Sequence, residues 1–422
     1  LGCSKNLVDS ERLLRQLQAN DFEFIHDPAG LGDFDTAIVN TCGFIGDAKK
    51  ESIDTILRLI HAKKQRQVEN VFVMGCLSER YKSELRTEIP EVDAFFGVNN
   101  LPEIIRHLGG QYRNDLVGER HLTTPGHYAY LKIAEGCDRH CSFCAIPGIR
   151  GPHASRPMED ILREAVKLAG SGVRELNLIS QDTTYYGLDL YQKRLLPELM
   201  DSLANIKEFE WIRLHYTYPH GFPLPLLDVI RIHPNICKYI DIPLQHVSDR
   251  ILSSMKRNID AKLTRKLIEE IRKQVPGVAI RTTFIVGYPG ETRKEFKELV
   301  NFIKENEFER VGVFPYSHEE GTHAFHLSDN ISEKTKHDRV GELMAIQEDI
   351  SNKINQKKVG TLQKIVVDRA EGGYFIGRSE FDSPEVDNEV LIPDHGEKLE
   401  SGKFYTVRIV KAESFDLYAE LS

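Results

Sequence analysis

Ala134-Glu135-Gly136-Cys137-Asp138-Arg139-His140-Cys141-Ser142-Phe143-Cys144 is the stretch from which the rest of the chain can be read. Three thiols on one tight loop, spaced C-x-x-x-C-x-x-C, can grip three irons of a cubane cluster and leave the fourth without a protein ligand. Structural zinc wants a fourth ligand, and His140 is too close in sequence to close such a site. Just upstream, residues 130–134 read as a strand. Further strand candidates, each followed by a helix, lie at 175–179, 211–215, 239–243, 279–286 and 311–315. Six β/α units predict a partial β/α barrel, with its chemistry at the carboxyl ends of the strands. The three-thiol loop follows the first of them.

Seven cysteines stand at 3, 42, 76, 137, 141, 144 and 237. An odd number in a chain of this size is no disulfide framework; it points to a reducing compartment and to metal or cluster ligation. Toward the N-terminus, residues 36–40 and 70–74 read as buried strands, and helices are predicted over 7–17, 47–65 and 78–86. That alternation predicts an open parallel sheet with right-handed crossovers. Cys42 and Cys76 then stand just past two strand ends and Cys3 just before the first helix, around the crevice where such sheets bind ligands. Gly2, Gly43 and Gly75 beside them permit close approach. Three thiols in matching positions predict a second cluster site. Cys237 has no such partner and is expected to be a packed thiol. The sequence opens on Leu1-Gly2-Cys3 without Met, so residues upstream are expected.

After a charged helix over 332–358, short strands at 363–368, 374–378, 386–392, 404–410 and 417–421 alternate with Gly, Pro and Asp turns. They predict a small closed antiparallel β-barrel. The expected fold class is therefore α/β, in three domains: an open parallel sheet over 1–120, a partial barrel of about six units over 121–355, and the antiparallel barrel over 356–422. A length of 422 residues, 41% hydrophobic and 28% charged, suits such a globular chain. No apolar run reaches the length of a membrane span. A net charge of −9 gives no chain-wide reason to bind nucleic acid.

The triplet with an aromatic before its last Cys, after the first barrel strand, resembles the signature of the radical S-adenosylmethionine enzymes. Two three-cysteine sites and a terminal barrel resemble, along nearly the whole chain, the methylthiotransferase family, whose terminal barrel is a TRAM domain. Four segments are more specific: Leu1-Gly2-Cys3-Ser4-Lys5-Asn6-Leu7-Val8-Asp9-Ser10-Glu11, Ala134-Glu135-Gly136-Cys137, Asp241-Ile242-Pro243-Leu244-Gln245-His246 and Tyr316-Ser317-His318-Glu319-Glu320-Gly321-Thr322. They are similar to the branch (RimO type) that modifies an aspartate of small-subunit ribosomal protein twelve, with Ser4 where Pro is expected.

The resemblance implies two 4Fe-4S clusters, one on Cys3, Cys42 and Cys76 and one on Cys137, Cys141 and Cys144, the second also binding S-adenosylmethionine. It implies that a methylthio group replaces hydrogen on the aspartyl β-carbon. One S-adenosylmethionine would methylate a sulfur at the first cluster, and a second would yield the hydrogen-abstracting radical. Contacts to S-adenosylmethionine are expected from Phe143, Gln181, Gln245, Arg281, Thr283, Ile285 and Gly287, and no side chain is expected to carry the chemistry itself. Gly287 and Gly290 are equally well explained as a tight turn. Tyr185 and Tyr186 are candidates for a substrate entrance. The implied partners are the ribosomal protein or its subunit, a low-potential electron donor and a sulfur donor, in the cytoplasm and away from membranes.

Charge gives an independent check on the substrate. From residue 356 onward nine Lys and Arg stand against thirteen Asp and Glu, a formal −4. An RNA-gripping barrel needs a basic face; an acidic one suits a basic protein partner and disfavours direct nucleic-acid binding. Methylthiolation of a tRNA adenosine by the same machinery is the nearest alternative. A non-catalytic iron–sulfur carrier with a nucleic-acid-binding tail is the next, disfavoured because carriers ligate all four irons.

Overall fold

Val71, Phe72, Val73 and Met74 are all buried, as a strand covered on both faces requires. Their strand, Asn70–Gly75, pairs in parallel with Thr36–Thr41 on one side and Ala94–Phe95 on the other. Helix Gly46–Lys64 packs Ile56 and Ile60 into the core with Val71 and Val73. Helix Ser4–Gln18 sets Leu13, Leu14 and Leu17 against Phe72 and Met74 on the opposite side. The structure is a computed structural model that describes residues 1–28, 30, 34–396 and 398–422. The single helix expected over 78–86 is two short ones, Cys76–Arg80 and Lys82–Glu88, because Tyr81 leaves the helical region at φ −129° and ψ 31°.

Six parallel strands follow one another in chain order across a second sheet: Tyr128–Lys132, Glu175–Ile179, Trp211–Leu214, Ile236–Asp241, Ala279–Val286 and Arg310–Pro315. Adjacent pairing of successive strands is what short right-handed βα crossovers produce. The first and last strands are edges, so the barrel is partial. The fourth strand begins three residues before its expected start at Tyr239 and ends at Asp241, short of Pro243, whose nitrogen has no proton to give the ladder. Beyond Lys132 the chain leaves the sheet, and Ala134–Glu135 pairs antiparallel with Ala154–Ser155, clamping both ends of the segment that carries the three thiols.

Helix Glu333–Gln356, capped by the Ser332 hydroxyl, leads into a closed five-stranded barrel. Four of its pairings are antiparallel. The fifth, Glu389–Pro393 with Asp416–Leu421, is parallel where an antiparallel pair was expected, because the intervening strand Phe404–Ala412 reverses the chain a second time. This barrel seals the amino-terminal ends of the six-stranded sheet. Trp211 meets Phe404 edge-on at 4.9 Å, and Arg378 donates to Glu175 at 2.8 Å. Among the described residues no helix is long and apolar enough to cross a membrane.

Candidate active site

Thr41 and Gly75 are partners in the last rung of the N-terminal sheet, so Cys42 and Cys76 leave it side by side. Gly75 holds φ +99°, and a Cβ there would come within 2.3 Å of Asn40 Oδ1, so glycine alone lets the chain turn directly into Cys76. Cys3 caps helix Ser4–Gln18, and a Cβ at neighbouring Gly2 would lie 3.1 Å from the Cys42 Cβ. The three thiols are close enough to raise one another: burial first, then Cys3 and Cys42, pushes Cys76 up to about 11. Burial likewise raises Cys42. Cys3 is exposed as a residue; what enclosure its sulfur has works to raise it, but Lys5, the Asn6 amide and Arg150 outweigh that and bring it below the usual thiol value.

In the barrel loop, Cys137 and Cys141 are buried and Cys144 half-buried. Gly136 sits at φ +71°, where a Cβ would lie 2.0 Å from the Pro152 carbonyl oxygen. Burial pushes Cys137 up to about 12, and raises Cys144 further. Donors already point at the sulfurs. Arg257 Nη1 is 3.3 Å and the Tyr218 hydroxyl 3.5 Å from Cys141 Sγ, and the Arg139 amide donates to Cys137 Sγ at 3.4 Å. Such hydrogen bonds tune a cluster's potential. Neither trio, nor any other group of His, Cys, Asp or Glu among the described residues, converges closely enough to hold a single metal ion. A cubane makes no such demand, since its three thiolates bind three separate irons.

One buried wall joins the two trios. Arg150, six residues past Cys144, donates to Asn6 Oδ1 at 2.6 Å, Asp9 Oδ2 at 3.1 Å and Glu135 Oε1 at 2.9 Å. Lys132 binds Asp9 and, at 2.7 Å, Glu135 Oε2. Asn6 Oδ1 lies 3.6 Å from Cys76 Sγ, and Cys76 packs with Ala145 and Ile149 beside the second trio. Burial opposes the charge of Glu135, but Lys132 and Arg150 outweigh it and hold the carboxyl at about 2. Asn6, Asp9 and Glu135 stand inside the quoted segments, though nothing in their spacing announced a joint role. Arg150 and Arg257 gave no signal, since the sequence distances to Asn6 and Cys141 are 144 and 116 residues.

The remaining expected contacts divide by setting. Gln181 donates to Glu135 Oε1 at 3.0 Å, while its own Oε1, the Gln245 Oε1, the Ser180 hydroxyl and the Asn177 amide are buried without partners among the described residues. Those orphaned polar atoms, in the barrel that carries the three-thiol loop, fit a polar cofactor such as S-adenosylmethionine over a cluster. Arg281, Thr283 and Ile285 alternate on the half-buried face of their strand. Arg281 is occupied, with Asp241 at 3.2 Å and Asp387 of the terminal barrel at 3.4 Å. Phe143 and Ile285 pack against one apolar cluster with Tyr288 and Tyr316. Gly287 holds φ +72° in a turn closed by its amide on Glu291, and a Cβ there would strike Lys336. His246 turns inward, its Nδ1 accepting from Val247 and Ser248 amides at 2.9 and 3.0 Å. Tyr186 is buried, its hydroxyl donating to the Arg156 carbonyl at 3.0 Å. Tyr185 meets His153 at a tilt of 58°, with Arg139 near its ring. Cys237 is buried with Trp211, Tyr239 and Ala279.

A three-thiol loop after the first strand of a six-stranded partial barrel defines the radical S-adenosylmethionine fold. The Radical SAM superfamily model matches residues 131–303, the family model UPF0004 residues 1–97, and the TRAM domain model residues 359–421. Among solved structures, the radical S-adenosylmethionine methyltransferase TsrM from Kitasatospora setae superposes with a TM-score of 0.54 at 13% identity, over 74% of this chain and 70% of that one. The cobalamin-dependent radical enzyme OxsB gives 0.55 at 13% identity, over 81% and 53%. Both show the fold alone. Curated relatives called ribosomal protein uS12 methylthiotransferase RimO are 54% identical in Christiangramia forsetii and 53% in Cytophaga hutchinsonii. Each match covers 100% of this chain, and 92% and 96% of the respective relative. The chain belongs to this family of radical S-adenosylmethionine methylthiotransferases.

Proposed function

We propose that this enzyme places a methylthio group on the β-carbon of an aspartyl residue of ribosomal protein uS12, the protein for which its relatives are named. It would use two 4Fe-4S clusters and two molecules of S-adenosylmethionine. One observation carries the reading: thiol trios from distant parts of the chain adjoin across a single buried wall, with Cys76 packed against Ala145, the residue after Cys144. Cys3, Cys42 and Cys76 would hold the first cluster, and Cys137, Cys141 and Cys144 the second. When bound, these groups supply electron transfer and hydrogen removal from an unactivated carbon, which no side-chain base performs.

The chain's own residues position and protect. Arg257 directs a donor at the Cys141 sulfur, with the Tyr218 hydroxyl beside it donating to the Arg257 carbonyl, and Arg150 with Glu135 keeps the two sites in register. Gln181 and Gln245 offer unpartnered carbonyl oxygens to an amino or ribose group. Phe143, among Tyr288, Tyr316 and Ile285, keeps water from the loop. The −4 charge of the terminal barrel favours a basic protein substrate over tRNA. The reading places the enzyme in the cytoplasm and requires a low-potential electron donor and a sulfur donor.

The test offers anaerobically reconstituted enzyme a uS12 peptide and tRNA in parallel. A methylthio mass gain on the peptide's aspartate, and none on tRNA, is expected; a methylthiolated adenosine with unmodified peptide overturns the reading. Cys3→Ala is expected to abolish methylthiolation. Full product from that variant would remove the first cluster from the scheme.

A further inference from the structure

The other cations of the wall and the barrel loop are already answered. Lys132 and Arg150 share Asp9 and Glu135, Arg139 binds Asp182, Arg281 binds Asp241 and Asp387, and Arg257 is taken up by the Cys141 sulfur and the Pro243 carbonyl. Lys5 is not. It stands two residues past Cys3 and is only 7% exposed, yet its ammonium meets neither a carboxylate nor a hydrogen-bond acceptor among the described residues. Its Nζ is not among the buried unpartnered polar atoms, so the ammonium keeps access to solvent and is open to an incoming anion.

What Lys5 does meet is a ring, with Nζ 2.9 Å from the centroid of Tyr216. Tyr216 holds φ +57°, a left-handed conformation uncommon for a bulky residue. The strain is held in place: its amide donates to Asp241 Oδ2 at 3.1 Å, and its carbonyl accepts from the Thr183 amide at 3.0 Å and hydroxyl at 3.1 Å. The chain thus fixes an aromatic platform under a cation that steadies the Cys3 thiol but that no carboxylate answers, between the N-terminal trio and the barrel strands.

We infer that Lys5 binds the side-chain carboxylate of the aspartate to be modified, and so sets the preference for an acidic target. The inference rests on the aspartate-directed function proposed above. In an aspartyl side chain the β-carbon is one bond from the carboxylate carbon, so anchoring the carboxylate on Lys5 holds the reacting carbon beside both sites. An ammonium with three donors gains from a carboxylate a charge attraction that a neutral base does not offer.

The test measures binding apart from chemistry. Labelled uS12 peptides identical except for Asp, Asn or Ala at the target position are titrated onto reconstituted enzyme without reductant, by fluorescence anisotropy. Wild type is expected to bind the Asp peptide about 10- to 100-fold more tightly than the Asn peptide, the size of a hydrogen bond to a charged group. Lys5→Met is expected to bind both alike at the Asn level, and Lys5→Arg to recover most of the preference. Equal binding of the Asp and Asn peptides by wild type overturns the inference without any variant. So does Lys5→Met with its Asp preference intact and only the N-terminal cluster's midpoint potential shifted, which would make Lys5 a counter-charge for that cluster. Failure of the underlying function is distinct: wild type then neither binds nor methylthiolates the Asp peptide.

Discussion

Replacing Arg150 by Met tests whether charge holds the two thiol sites together. Met keeps most of the side-chain stem and removes the guanidinium, and with it the contacts to Asn6 at 2.6 Å, Glu135 at 2.9 Å and Asp9 at 3.1 Å. Asp9 and Glu135 are then left with Lys132 as their shared cation. Truncating one member of a buried ion pair costs about 3–5 kcal/mol, and the surviving Lys132 puts the loss at the lower end, about 3 kcal/mol. The direction of the Glu135 shift agrees: burial opposes its charge, yet Lys132 and Arg150 together hold the carboxyl at about 2. Hydrogen exchange of the cluster-free chain, read by mass spectrometry over helix Ser4–Gln18, should accelerate roughly 100-fold, while the terminal barrel exchanges as before. Exchange of that helix within about 3-fold of wild type would refute the reasoning. The apolar contact of Cys76 with Ala145 and Ile149 would then hold the seam alone.

Gly136→Ala combines a left-handed φ of +71° with a Cβ 2.0 Å from a backbone oxygen, and should cost the barrel loop its cluster; iron analysis should fall from roughly eight to roughly four per chain. Because Glu135 is held near 2 in the folded chain, its contribution is present above its unfolded value near 4.5 and lost as pH falls toward 2. Glu135→Gln should flatten that acid limb in hydrogen exchange of helix Ser4–Gln18, and an unchanged limb would assign it to other carboxylates. Arg378→Met leaves Glu175 with Arg213 alone and removes both contacts to Asp368, so about 3–5 kcal/mol should be lost at the seam with the terminal barrel. The sole tryptophan, Trp211, packs on Phe404 at that seam, so its fluorescence during urea unfolding reads the change directly.

Much of the architecture was legible in the sequence because strands and crossover helices carry local periodicity. The strands Glu175–Ile179 and Ala279–Val286 coincide with their predicted runs. Errors fell where a single residue or pairing decides: at Tyr81, which splits a helix, and in the parallel closure of the terminal barrel by Glu389–Pro393 and Asp416–Leu421. Arg281 marked itself by its place on a strand, but the sequence held no sign that Asp387, from a loop of the terminal barrel, would claim it.

By itself the sequence determined the thiol loop, because Cys137, Cys141 and Cys144 are tied by a few covalent bonds and need no fold to stay together. It also determined that Cys42 and Cys76 end neighbouring strands, because buried apolar runs of that length admit little else. Only the tertiary structure decided what lies between the two sites. Arg150 reaches Asn6 across 144 residues, Lys132 reaches Asp9 across 123, and Lys5 comes to rest on Tyr216 without an anion. Ionic partners are chosen by which side chains the packed core happens to bring within about 3 Å, and no local pattern in a chain encodes that distance.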